Sequence, residues 1–225
     1  MLTAEQILGQ DESLLVECDN GFLLLPDVCV ALKKLQHTAQ QDGVDIHIVS
    51  SYRSFERQNF IWQNKWHGKA PLLDLNEQPI DGSRLSDWEK IQTILTWSAL
   101  PGASRHHWGT DLDVYDKASV QAQQHDFKLV CAEYDHQGGP CAKLNQWLGK
   151  YAGDFGFSRP YAKYEGGIAR EPWHLSYQAI SDKIVEQLDP NILLQTLIQS
   201  NISGLESISN NMPEIYSRFV LNKGK

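Results

Sequence analysis

The stretch from Pro101 to Tyr115 limits the fold more sharply than any other part of this chain. Asp111, Asp113 and Tyr115 alternate strictly with Leu112 and Val114, which predicts a strand with one polar and one apolar face. Immediately before it lie His106, His107, Trp108 and Gly109. On one continuous strand His106 and Asp113 would point to opposite faces. A turn at Gly109 resets the direction and lets both side chains converge.

The rest of the sequence supplies helices and a few strands around that segment. Thr3 with Gln6, and Ser86 with Glu89, form capping boxes at helix starts. Val28, Leu32, Leu35 and Ala39 recur at helical spacing from Pro26 to Gln41, with Gly43 as the stop. Val44, Ile46 and Ile48 alternate as a strand that exits through Ser50-Ser51-Tyr52-Arg53, and Ser54 caps the next helix. Residues 68–82 hold two prolines and read as a surface loop. Helices are expected over Ala118–Glu133 and Ala142–Tyr151, and a polar-apolar segment runs to Trp173, His174 and Tyr177. Beyond Ile180 helices are expected, broken at Pro190, Gly204 and Pro213. This order, with few βαβ units, favours an α+β fold over a doubly wound sheet.

At 225 residues the chain predicts one domain with extensions, or two small ones. The 41% hydrophobic and 21% charged composition is that of a globular chain. A formal charge of −8 argues against a protein built to grip nucleic acid. No apolar run approaches the ~20 residues of a membrane span. Met1 to Gln10 shows no secretory pattern, which favours the cytoplasm over an exported chain whose leader has been removed. Cys18, Cys29, Cys131 and Cys141 form no Cys-x-x-Cys pair and are expected to stay reduced, a Cys131–Cys141 bridge being the lesser alternative.

His37, His47, His67, His125 and His136 stand alone, and the His-Glu-x-x-His zinc signature is absent. Two clusters remain, the one ending at Asp113 and Glu171-Pro172-Trp173-His174. Pro172 disfavours a helical Glu171, so the second cluster is read as extended or a turn. A catalytic zinc needs three protein ligands and one open position, which His106, Asp113 and His174 would supply. Glu171 is left as a carboxylate free to take a proton, and Arg53 as a fixed cation for a developing oxyanion. The same spacing equally admits a buried hydrogen-bond network. Trp173 is read as core, Trp108 is left open, and Tyr161 and Tyr164 are candidates to line a cleft.

The pattern Ser104-x-His106-x-x-Gly109-x-x-x-Asp113, followed by Glu171-Pro172-Trp173-His174, resembles the signature of the VanY-type D-alanyl-D-alanine carboxypeptidases of the LAS metallopeptidase group. Tyr52-Arg53 with Gln58 is similar to a third family element, so the likeness spans Ser50 to Tyr177. It implies a small antiparallel sheet bearing one zinc ion per chain, flanked by helices. It also implies a metallopeptidase domain over 1–180, with 181–225 as a helical extension packed on it. By resemblance His106, Asp113 and His174 bind the metal, Glu171 is general base toward a zinc-held water, and Arg53 clamps the scissile carbonyl. Ser104, Gln58 and Tyr52 then bind substrate, a peptidoglycan-derived peptide. An L-alanyl-D-glutamate endopeptidase shares this pattern, and hedgehog domains keep the zinc for recognition alone. One departure is Asp111, where the family often has a small residue; it is read as orienting a ligand histidine or pairing with Arg105 rather than as a fourth ligand. His107 is read as a stacked or solvent-facing residue.

Overall fold

Local signals account for most of the elements in the computed structural model, which describes residues 2–224. The Thr3–Gln6 box caps α1 (Ala4–Ile7). A short hairpin, β1 (Val16–Glu17) and β2 (Leu23–Leu24), leads into α2 (Pro26–Gln41), which buries Val28, Leu32, Leu35 and Ala39. After β3 (Ile46–Ser50), the Ser54 hydroxyl accepts from the Arg57 N–H and opens α3 (Phe55–Trp66). The expected loop over 68–82 contains a small hairpin, β4 (Leu72–Leu73) with β5 (Pro79–Ile80). Its turn is organised by the Asp74 carboxylate, which accepts from the N–H groups of Asn76 and Gln78. The Ser86–Glu89 box starts α4 (Asp87–Trp97).

The expected strand follows as β6 (Asp111–Asp116). The helix expected over Ala118–Glu133 does not form as one piece. Instead α5 (Lys117–Ala122) and α6 (Cys131–Asp135) flank a loop in which Gln124 and Leu129 have positive φ. The cause is a side-chain cap within the segment itself: the buried Glu133 carboxylate accepts from the N–H groups of Lys128 and Val130 and contacts the His125 ring, so the loop backbone is satisfied without a helix. Next come α7 (Ala142–Tyr151), β7 (Phe157–Ser158), β8 (His174–Tyr177) and α8 (Gln178–Val185). The tail forms α9 (Pro190–Gln199), α10 (Leu205–Asn210) and α11 (Met212–Ile215), the last running into a π-helical turn over Tyr216–Val220.

The central sheet is antiparallel in the order β3-β6-β8-β7. Leu112 pairs with Leu175, and Asp113 with His174, so the period-2 alternation sorts side chains cleanly. Leu112, Val114, Leu175, Ile46 and Ile48 join a core with α2 and α7. Asp111, Asp113, His174 and Ser176 lie on the opposite face. A second core combines Phe55, Trp62, Ile91 and Leu95 with Leu193, Leu197, Ile208 and Ile215, so the C-terminal helices share a core with α3 and α4. No helix among the described residues is long and apolar enough to cross a membrane.

The cysteines depart from expectation. Cys18 and Cys29 form a disulfide, with 5.6 Å between their Cα atoms, while Cys131 and Cys141 are free thiols. The β1–β2 hairpin folds the chain back so that Cys18 meets the first turn of α2. Burial pushes the Cys131 thiol up to about 12 and the Cys141 thiol up to about 11.

Candidate active site

His106 rides on a short 3-10 turn, Arg105–Trp108, that ends at Gly109 in the left-handed region with φ +65. A Cβ there would lie 2.4 Å from Leu15 Cδ2 and 3.2 Å from the Leu25 nitrogen, so both conformation and space require glycine. This is the reset between His106 and the strand. The Nδ1–H of His106 donates to the Ser51 carbonyl at 2.8 Å, leaving Nε2 facing Asp113 Oδ2 at 3.4 Å. Across the sheet, His174 Nδ1 lies 3.1 Å from Asp113 Oδ1 and 3.7 Å from Glu171 Oε2. One ligand atom each from His106, Asp113 and His174 lies within 4.8 Å of the other two, and all three residues are buried.

The donor set suits a divalent metal. Two imidazole nitrogens and one carboxylate oxygen form a borderline set of the kind zinc prefers. The remote nitrogen of each imidazole is engaged, His106 by a carbonyl and His174 Nε2 by Asp111 Oδ1 at 3.0 Å. Asp111 itself lies outside the ligand group. Its Oδ1 also accepts from Arg105 Nε at 2.8 Å, and its Oδ2 accepts from the hydroxyls of Thr110 and Ser176. Asp111 thus contacts both His174 and Arg105 through one oxygen.

Electrostatics follow from this burial. Burial opposes charge on His174, but its hydrogen bonds to Asp111 and Asp113 outweigh that cost and raise the imidazolium to about 10. His106 goes the other way, pulled down to about 4 by burial against the attraction of Asp113. Burial, aided by the Asp113 charge, lifts the Glu171 carboxyl to about 7. Glu171 lies in a turn, not a helix, its N–H donating to the Tyr161 carbonyl and its own carbonyl accepting from the His174 N–H.

The cleft beside the triad has a volume of about 310 Å³ and is lined by Arg53, Ser104, Tyr161, Glu171 and the three potential ligands, among others. The Arg53 guanidinium donates to Gln58 Oε1 at 2.8 Å and to Ser50 Oγ at 3.2 Å. Gln58 in turn donates to the Ala99 carbonyl. Gln58 is thus buried behind Arg53 and does not line the cleft. Tyr52 also points elsewhere, its hydroxyl donating to the Gly9 carbonyl at 3.2 Å. Ser104 is buried, makes no side-chain cap bond to the turn it precedes, and is among the residues lining the cleft. Trp173 packs in the core against Tyr134, and Trp108 is buried with its indole N–H on the Ile7 carbonyl. Tyr161 sets its ring 4.8 Å from that of His174, while Tyr164 is exposed.

His107 is buried, contrary to the solvent or stacking role expected of it. Its Nδ1–H donates to the Arg53 carbonyl at 2.6 Å and its Nε2 accepts from the Gly102 N–H at 3.0 Å, which fixes a neutral tautomer. Burial lowers its pKa to about 3. Lys65, which also lines the cleft, was not apparent from motif spacing. Its signal is helical arithmetic: Gln58, Trp62 and Lys65 share one stripe of α3, and the first two are buried.

Residues 22–180 match the family model described as VanY, D-alanyl-D-alanine carboxypeptidase. The chain belongs to this family. A Haemophilus influenzae protein described as uncharacterized is 30% identical over 128 residues, covering 56% of this chain and 96% of that one. The D-alanyl-D-alanine carboxypeptidase of Enterococcus faecalis is 26% identical over 169 residues, 74% of this chain but 52% of the relative. A mutant of a vancomycin-resistance D,D-pentapeptidase VanY, from a VanB-type cassette and in complex with Zn(II), superposes with a TM-score of 0.52 at 27% identity, covering 76% of this chain and 82% of that one. The mixed helical and antiparallel architecture is the VanY fold, and C-terminal helices are present in this chain.

Proposed function

We propose that this VanY-family chain is a zinc-dependent D-alanyl-D-alanine carboxypeptidase acting on peptidoglycan-type peptides, with one zinc ion per chain. The observation that carries the reading is the convergence of three potential ligands, a free carboxylate and an arginine on one cleft. The Enterococcus faecalis relative named for this activity supports it.

His106 through Nε2, Asp113, and His174 through Nδ1 are the residues to hold the ion. When bound, it supplies Lewis-acid polarisation of a carbonyl and brings the pKa of water toward about 7. Glu171 takes the proton of the attacking water and returns it to the leaving amine, a task suited to a carboxyl held at about 7. Arg53 donates to the scissile carbonyl oxygen as negative charge grows there. Gln58 and His107 act through Arg53, one on its guanidinium and one on its backbone. Tyr52 acts more remotely, by anchoring the same segment to the N-terminal helix. Ser104 contacts the substrate, and Asp111 orients His174. The segment up to residue 180 carries the chemistry in this reading, and α9, α10 and α11 cover the α3–α4 side.

The test is release of free D-alanine from a pentapeptide stem before and after chelation, with Glu171→Ala alongside. The reading expects release by the metal-loaded protein, loss on chelation, and a Glu171→Ala variant that keeps zinc while losing about 10²–10⁴-fold in rate. Cleavage at L-alanyl-D-glutamate without D-alanine release would instead mark an endopeptidase. Stoichiometric zinc without hydrolysis would mark a binding domain.

A further inference from the structure

The cleft holds three cationic side chains besides its histidines, and they are not equivalent. Arg105 is paired with the Asp111 carboxylate at 2.8 Å. Arg53 and Lys65 have no carboxylate oxygen within 4.0 Å among the described residues: Arg53 donates to Gln58 and Ser50, and the Lys65 ammonium to Ser98 Oγ at 2.7 Å. Arg53 has its place at the scissile carbonyl. Lys65, in the last turn of α3, is a second cation directed into the same cleft and tethered to a neutral hydroxyl.

The half-buried Lys65 ammonium is bonded to a hydroxyl and feels the Glu171 charge only from beyond ion-pair distance, so it is incompletely compensated. The acidic residues of the cleft lining are Asp113, a member of the triad, and Glu171, whose carboxylate lies 3.7 Å from His174. Bound metal therefore leaves an excess of positive charge, which an anionic ligand would complement. We propose that Lys65, held by Ser98, receives the free carboxylate at the C-terminal end of the peptide, so that the cleft selects chain ends over internal bonds. This deepens the peptidase reading and rests on it. Ser104, on the same lining, offers a second donor to that carboxylate. Lysine suits the task as a compact point charge with three rotatable donors. Burial draws its pKa down to about 8, which leaves it mainly protonated at pH 7 and primed to be stabilised by an incoming anion.

The test separates binding from turnover. A zinc-loaded Glu171→Gln protein is titrated calorimetrically with three stem pentapeptides: one with a free C-terminus, one amidated there, and one amidated only at its internal glutamyl carboxylate. The free and internally amidated peptides are expected to bind about 10- to 100-fold tighter than the C-terminally amidated one. Adding Lys65→Met should collapse that ratio to within threefold, and Lys65→Arg should retain part of it. Ser98→Ala, a smaller change whose folding is checked by thermal melting, should weaken the ratio without abolishing it. An unchanged ratio in Lys65→Met overturns the proposal, as does a preference that follows the internal carboxylate. If the ratio behaves as expected but the Glu171-containing enzyme hydrolyses none of the peptides, the peptidase reading fails while the carboxylate site stands.

Discussion

Replacing Asp111 with asparagine removes one negative charge from the middle of a buried network while keeping its shape. The Asp111 Oδ1 accepts from both Arg105 Nε at 2.8 Å and His174 Nε2 at 3.0 Å, and an asparagine carbonyl keeps both contacts. The amide nitrogen takes the place of Oδ2, facing the Thr110 and Ser176 hydroxyls, each able to rotate and accept. What changes is strength. Hydrogen bonds to charged groups contribute about 1.5–3 kcal/mol and neutral ones about 0.5–1.5, so each contact loses about 1 kcal/mol. The Arg105 share appears as lost stability. The His174 share appears as weaker metal binding, about tenfold, at the low end of the 10–100-fold typical for such partners of a ligating histidine. Asp111→Ala is expected to be far worse, because it strands a buried Arg105 at a cost of about 3–5 kcal/mol. Zinc affinity measured by chelator competition across pH and corrected for His174 protonation, since losing the Asp111 charge also lowers that imidazolium's pKa, checks the metal share, and denaturant unfolding of the metal-free proteins checks the other. Undiminished zinc affinity in Asp111→Asn, with stability lowered as expected, would refute the link from Asp111 through His174 to the metal.

Metal uptake should carry a proton signature. Without metal, His174 is raised to about 10 and His106 lowered to about 4, so at pH 7 only His174 holds a proton that a ligand nitrogen must give up. In a Glu171→Gln background, which removes the carboxyl near 7, and between pH 5 and 6, below the ionisation of metal-held water and of Lys65, zinc binding should release one proton and strengthen about tenfold per pH unit, measured by calorimetry in buffers of different ionisation heat; release of two protons or none there would contradict it. Gly109→Ala forces a Cβ into the left-handed turn against Leu15 and the Leu25 nitrogen, so a loss of about 2 kcal/mol or more in unfolding free energy is expected along with weaker zinc binding. His107→Phe, a somewhat larger ring at a buried site, leaves the Arg53 carbonyl and the Gly102 N–H without partners, at about 1–3 kcal/mol each, read by thermal and denaturant unfolding.

The parts of the fold that the residues announce are those set by local chemistry. Thr3, Ser54 and Ser86 cap the helices they precede, and the alternation after Gly109 puts Asp111 and Asp113 on one face because a strand's side chains have period 2. Register across the sheet then brings His174 opposite Asp113, a pairing no local pattern contains. The misreadings share one cause: a side chain finds a partner that the helical or strand spacing does not show. Glu133 unwinds an otherwise helical stretch from across its own loop. Cys18 and Cys29 meet because a hairpin folds the chain back between them. Gln58 and Tyr52 sit in the expected segment, yet where their side chains aim depends on the Ala99 and Gly9 carbonyls, which belong to other elements. Lys65 was readable from the buried stripe it shares with Trp62, a signal that motif spacing alone passes over.

Metal content of the purified protein, determined by elemental analysis after loading with zinc and desalting, bears most directly on the three residues at the centre of the cleft. The intact chain should retain one zinc per molecule, and His106→Ala, Asp113→Ala and His174→Ala should each retain almost none while Arg53→Ala retains a full equivalent. No retained metal in the intact chain, or a full equivalent in the three ligand variants, would contradict the account.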